Sequence, residues 1–305
     1  MTDRSHLHGI ALACAAGFFW GSMGVAAQYL LQRASFEVLD LVSIRLLGAG
    51  GLLLFYEAFA ARRLRPALIF QRRNALDIFI YGLGLLVSQI TFFLSIEKAN
   101  AATASLMVTT VPLFVTGWTA WSERRAVTKR EWLSIAMAAA GVACIVTKGR
   151  LDAVDFSAAG VFWGIVSAGF VAFGTIQPKR VLTKVPVGVV VGSGMLSGGL
   201  VLFIISPPDL AAMHWTVFTA AVYFYIAAFG TVAAFCCYLR SLAFIPAPVA
   251  SLLACIEPLS AVILGVVLMG LTLNAVEIVG IVIIFTMAVM LARAPKAQRP
   301  AKRTD

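Results

Sequence analysis

The chain has 305 residues, 61% of them apolar and 12% charged, with a formal net charge of +10. Soluble domains carry ~25% charged and ~45–50% apolar residues, so a water-soluble globular fold is excluded and the solvent must be lipid. The positive charge sits in short clusters between apolar runs, as at Arg62, Arg63, Arg65, Arg72 and Arg73. No basic stripe interleaved with aromatics occurs, which argues against a nucleic-acid partner.

A helix needs ~20 apolar residues to cross the hydrocarbon core. In chain order, ten segments meet or approach this: 8–31, 38–60, 75–96, 101–121, 131–147, 156–177, 185–206, 214–239, 245–271 and 273–293. The first exceeds the ~7–15-residue apolar core of a signal peptide and is read as a retained helix. Pro178-Lys179-Arg180 and Pro207-Pro208-Asp209 punctuate clearly, whereas little polar sequence separates the spans near 98–101, 240–247 and 271–275. With both termini cytoplasmic, alternation places 19 basic residues inside and four outside, namely Arg33, Lys98, Lys148 and Arg150. Such asymmetry in short loops is what the positive-inside rule produces. The expected fold is therefore an all-α integral membrane protein of ten transmembrane helices with both termini in the cytoplasm.

Residues 101–113 (AATASLMVTTVPL) and 247–259 (APVASLLACIEPL) match at six of thirteen positions with an offset of 146. The same offset pairs Gly84 with Gly230, Ser95 with Ser241 and Glu131 with Glu277. The chain thus divides into an N-terminal repeat, 1–150, and a C-terminal repeat, 151–305, which ends in a basic cytoplasmic tail. Five spans per repeat is an odd number, so the two enter the membrane in opposite senses. Inverted repeats place a substrate near the bilayer midplane between them and alternate its access to the two sides.

Individual side chains then suggest a site. In the sixth span Trp163, Ser167, Phe170, Gly174 and Gln177 share one helical face. In the third, Tyr81, Leu85, Ser88, Phe92 and Ser95 do the same, with Gln89 beside them. Aromatic walls with a few polar groups suit a small-molecule cavity, and helix packing is the competing reading. Trp20, beside the small-residue face of Gly17, Gly21 and Gly24, and Tyr238 are further cavity candidates. For Tyr81 and Tyr238 anchoring at the membrane interface is the alternative.

Pro112 and Pro258 occupy matching places in the fourth and ninth spans and should bend them, either as hinges or as static kinks. Glu257 lies within an apolar span, where a carboxylate costs at least ~2.5 kcal/mol. It is either a contact for a substrate amine, a proton-coupling group, or a structural group that caps the bend at Pro258. Arg45, within the second span, should pair with a carboxylate or carbonyls rather than touch substrate. Asp40, Asp77 and Glu277 lie near span ends and need no special role. Cys14, Cys144, Cys236, Cys237 and Cys255 all fall in apolar runs without metal-site spacing. No cofactor or metal is expected. His6, His8 and His214 lie near span ends or outside them, which disfavours an enzyme, and no phosphate-binding G-x-x-x-x-G-K-[ST] loop occurs.

The order and setting of Gly17-Phe18-Phe19-Trp20-Gly21-Ser22, Ser43-Ile44-Arg45-Leu46-Leu47, Ser122-Glu123-Arg124 and Ile256-Glu257-Pro258-Leu259 resemble the drug/metabolite transporter superfamily, specifically its EamA-type ten-helix members. The likeness runs from about residue 8 to 293. It implies a basket-like helical carrier in a bacterial inner membrane, with a central cavity, that exports amino acids, aromatic ones among them, or other metabolites and drugs. One departure is Met269-Gly270-Leu271-Thr272, where a second glutamate corresponding to Glu123 is usual in the family.

Overall fold

The computed structural model describes residues 3–122, 124, 126, 128–147, 155–241, 243–245, 250, 253 and 256–292. Among these the regular elements are all helical, which is one of the two ways a chain in lipid can satisfy its own backbone. The α-helices of eight or more residues are α1 (Asp3–Arg33), α2 (Val38–Phe55), α3 (Arg72–Lys98), α4 (Ala101–Val108), α5 (Val111–Ser122), α6 (Lys129–Thr147), α7 (Asp155–Ile176), α8 (Val187–Ile205), α9 (Val217–Ala227), α10 (Ala234–Ser241), α11 (Ile256–Met269) and α12 (Ala275–Ala292). Seven helical stretches are long and apolar enough to cross a membrane. Shorter apolar helices occupy the fifth, ninth and tenth predicted spans, at Glu131–Ile145, Ile256–Met269 and Ala275–Met287.

The fourth predicted span is broken in two. Proline at 112 has no N–H to give Val108, and its ring would crowd that carbonyl, so the helix stops at Val108 and restarts at Val111. The turn closes tightly: the Thr109 and Thr110 amides donate to Leu106 O and Met107 O at 3.1 and 3.0 Å. Their hydroxyls take the same two carbonyls, each at 2.6 Å. The bend therefore lies just ahead of Pro112, whose own side chain is outside the described residues. Pro258 is buried as the third residue of α11, and residues 254 and 255 before it are not described.

Two helices carry π-helical turns, Tyr56–Ala60 at the end of α2 and Ala228–Ala233 between α9 and α10. In the second, the Thr231 hydroxyl donates to Ile226 O at 3.2 Å, five residues back. The wider turn rotates α10 about its axis relative to the course a continuous α-helix from α9 would take.

Packing pairs the two halves of the chain. α3 lies against α7 and α8, α2 against α8, α6 against α12, and α1 against α10 and α11. Small residues allow this, since lipid offers helices no hydrophobic drive to associate. Gly82 of α3 faces the backbone of Gly194, and Gly141 of α6 and Gly280 of α12 approach each other's turns in the same way. The N-termini of α6 and α12 are capped identically, 146 residues apart. Glu131 Oε2 accepts from Thr128 N at 2.7 Å, and Glu277 Oε2 from Asn274 N at 3.0 Å. Thr128 Oγ1 and Asn274 Oδ1 accept in return from the glutamate amides. Asp77 also acquires a partner, Arg180, whose Nε reaches its carboxylate at 2.8 Å where α3 meets the end of α7.

Candidate functional site

A cavity of about 300 Å³ opens among α1, α2, α3, α4, α7, α8, α10 and α11, at the small end of the ~300–1,000 Å³ typical of small-ligand sites. Of the ten residues predicted to line a cavity, seven do so: Trp20, Tyr81, Ser88, Gln89, Phe92, Ser167 and Phe170. Two of the charges within spans, Arg45 and Glu257, are also among its lining residues.

Trp163, Gln177 and Tyr238 are not in its lining. Trp163 lies one turn too far along α7 and packs edge-on against Phe162, ring centres 5.1 Å apart. Gln177 belongs to the 3₁₀ turn that Pro178 forces at the end of α7, so the helical face no longer extends to it. Its Nε2 donates to Asp77 O at 3.1 Å. Tyr238 sits behind the wall, its ring 5.5 Å from that of Trp20.

Arg45 is 3% exposed and held from several sides. Its Nη1 donates to the Gln89 amide oxygen, so the expected partner carbonyl is a side-chain one. Its Nη2 reaches Met23 Sδ at 3.3 Å and Thr231 Oγ1 at 3.4 Å, and the guanidinium lies 5.3 Å over the Phe93 ring. Thr231 belongs to the π-helical turn. Nε is buried and has no partner among the described residues.

Glu257 is treated differently. Among the described residues no donor or cation bonds its carboxylate, and the reading of it as a cap for the Pro258 bend finds no hydrogen bond to support it. Its position is set by packing: a side chain at Gly21 would overlap the Glu257 backbone carbonyl and meet Ser260 Cβ at 2.8 Å. The absence of a Cβ thus presses α1 directly onto the first turn of α11, and the small-residue face of α1 serves packing.

Hydroxyls tie the walls together. Ser167 Oγ donates to Ser88 O at 3.0 Å, and Ser95 Oγ to Gly160 O at 2.7 Å, which fixes α7 on α3. Tyr223 OH donates to Ile44 O at 2.9 Å and Tyr225 OH meets Ser22 Oγ at 2.6 Å, so both tyrosines brace helices. The lining also includes Met23, Val108, Val171, Thr175, Met195 and Phe235, none of them singled out by the sequence patterns. Val171 and Thr175 follow Ser167 by one and two turns, so strict helical spacing could have found them. The others are ordinary apolar residues within apolar spans and carry no mark.

The sequence profile of the EamA-like transporter family matches residues 7–147 and 158–293. The inner membrane transporter YicL of Salmonella typhimurium, itself uncharacterized, is 32% identical over 91% of this chain and 92% of its own length. The likewise uncharacterized inner membrane transporter YedA of Escherichia coli K12 is 30% identical over 93% of this chain and 90% of its own. A solved crystal structure superposes with a TM-score of 0.60 over 95% of this chain and 96% of that chain at 16% identity, a likeness of fold alone.

Proposed function

The chain belongs to the EamA-like transporter family, and from that premise we propose that it is a secondary carrier that exports amino acids, aromatic ones among them, or related small metabolites. The observation that carries this reading is the cavity between the halves. Aromatic side chains wall it, hydroxyl and amide groups punctuate it, and a cation and a carboxylate both open onto it. That combination fits a small solute with an apolar body and a charged head.

The membrane is an inner membrane, as the names of the relatives in Salmonella and Escherichia suggest. The chain crosses it ten times as two inverted five-helix repeats, with both termini in the cytoplasm. The basic-residue asymmetry, the matching caps of α6 and α12, and the exchange of packing partners between α3–α7 and α1–α10 all favour this arrangement. Alternating access would bend the chain at the break before Pro112 and at Pro258, since α4 and α11 pack against each other.

Uptake of a labelled amino-acid panel into proteoliposomes, with and without a pH gradient, tests the assignment. Saturable uptake of aromatic amino acids is expected. Phe170→Ala should weaken apparent affinity about fivefold, the loss of one aromatic contact worth ~1 kcal/mol. No flux of any amino acid would sink the assignment, and flux that tracks the gradient would add proton coupling to it.

A further inference from the structure

The two charges of the cavity are not equivalent, and the difference names the end of the solute that is read. We propose that the site recognises an ammonium group through the Glu257 carboxylate and makes no use of a solute carboxylate. Its substrates are then organic amines with an aromatic or apolar body, amino acids being bound by their amino end. This rests on the reading of the chain as a carrier with this cavity as its site.

Arg45 would be the obvious receptor for a carboxylate, but the protein already occupies it. Gln89, Thr231 and Met23 take its two terminal nitrogens, Phe93 covers its face, and its Nε is sealed from the cavity. An anion could bind only by displacing groups from three other helical segments. Glu257 is the reverse case, a lining residue whose carboxylate has no bonded partner among the described residues. A charge so placed in a membrane span needs a counter-charge, which the solute or a proton must supply.

The surroundings favour a cation. Trp20 and Phe235, ring centres 5.8 Å apart and nearly perpendicular, share the lining with Glu257, as do Tyr81, Phe92 and Phe170. Aromatic faces attract ammonium groups. The carboxylate is also preplaced, since Gly21 seats the first turn of α11 against α1 and the Ser260 hydroxyl is turned away to Ile256 O at 2.8 Å.

The test compares three ligands that share a ring: tyramine, tyrosine and 4-hydroxyphenylpropionate. Each is titrated into the purified full chain in lipid nanodiscs by calorimetry, and each is assayed for flux in proteoliposomes. Tyramine should bind at least as tightly as tyrosine, and the amine-free acid should not bind. Glu257→Gln should weaken tyramine about tenfold or more, as expected when a charged partner is lost, while Glu257→Asp retains part of the affinity. If neither variant folds, the ligand series on the unaltered chain decides alone. Binding of the acid as tight as that of tyrosine, an unchanged tyramine affinity in Glu257→Gln, or no binding by any of the three would overturn the proposal. Flux without preference for the amine would refute it and leave the carrier standing, whereas amine binding without flux would do the opposite.

Discussion

Gly82→Leu is expected to leave almost no monodisperse protein, because α3 and α8 meet there backbone to backbone. A Cβ at Gly82 would lie 2.6 Å from the Gly194 carbonyl oxygen and 3.2 Å from its Cα. A Cβ at Gly198, one turn on, would lie 2.6 Å from the Gly82 carbonyl oxygen. The Ser197 hydroxyl, which also lies against the Gly82 position, can turn away, but the two glycine backbones cannot, so the helices themselves must part. Overpacking of this kind costs ~1–3 kcal/mol when side chains can yield, and more is expected where they cannot. Parting α3 from α8 also opens the cavity wall that Tyr81 and Met195 share. The control is Gly51→Ala on α2, where nothing lies within 4 Å and the melting temperature should scarcely move. Fluorescence-detected size exclusion and thermal melting of the two variants check the contrast; equal behaviour would mean that the α3–α8 contact is not close.

The second large effect concerns Arg45 and Gln89, read as a double-mutant cycle. Arg45→Met keeps volume but strips the Gln89 oxygen of its donor, a loss of about 1–3 kcal/mol. Gln89→Leu strips Arg45 of its best acceptor and should cost a similar amount, since bonds to charged groups are worth ~1.5–3 kcal/mol. The double variant replaces both partners with apolar groups and relieves the burial of the guanidinium, so it should be more stable than the sum of the single losses by at least about 1 kcal/mol. Chemical denaturation or thermal melting of the four proteins gives the coupling. Strictly additive losses would show that the contact contributes nothing.

Much of this arrangement was legible in the chain because lipid imposes strong rules. Apolar run length marked the seven long helices, and helical spacing in the third and sixth spans marked the face of Tyr81, Ser88, Phe92, Ser167 and Phe170 that lines the cavity. Spacing failed where the helix did. Gln177 shares the face only if α7 continues, and Pro178 ends it. Trp163 is on the face but beyond the end of the cavity, since periodicity fixes direction and not depth. Tyr238 needed a partner to place it, and Trp20 proved to stand in front of it. The π-helical turn at Ala228–Ala233 has no residue signature, so Thr231 could not be assigned to Arg45 in advance. Glu131 and Glu277, which the offset of 146 pairs, make the same reciprocal cap.

The contrast between Arg45 and Glu257 also illustrates why charge alone does not mark a binding group. Both are span-internal and both reach the same cavity. One is consumed by the fold, bonding α1, α2, α3 and the π-helical turn into one unit, and the other has no bonded partner among the described residues. Only the full set of partners around each group separates them, and those partners come from segments up to 186 residues apart.

The most direct test of the carrier reading is whether the cavity faces both sides of the membrane in turn. In a chain whose five native cysteines are replaced, a single Val171→Cys places a thiol on the lining. An impermeant maleimide is then added to oriented vesicles from either side, with and without a transported solute. Alternating access predicts labelling from both sides and slower labelling from both when solute is present. Labelling from one side only, indifferent to solute, would contradict it.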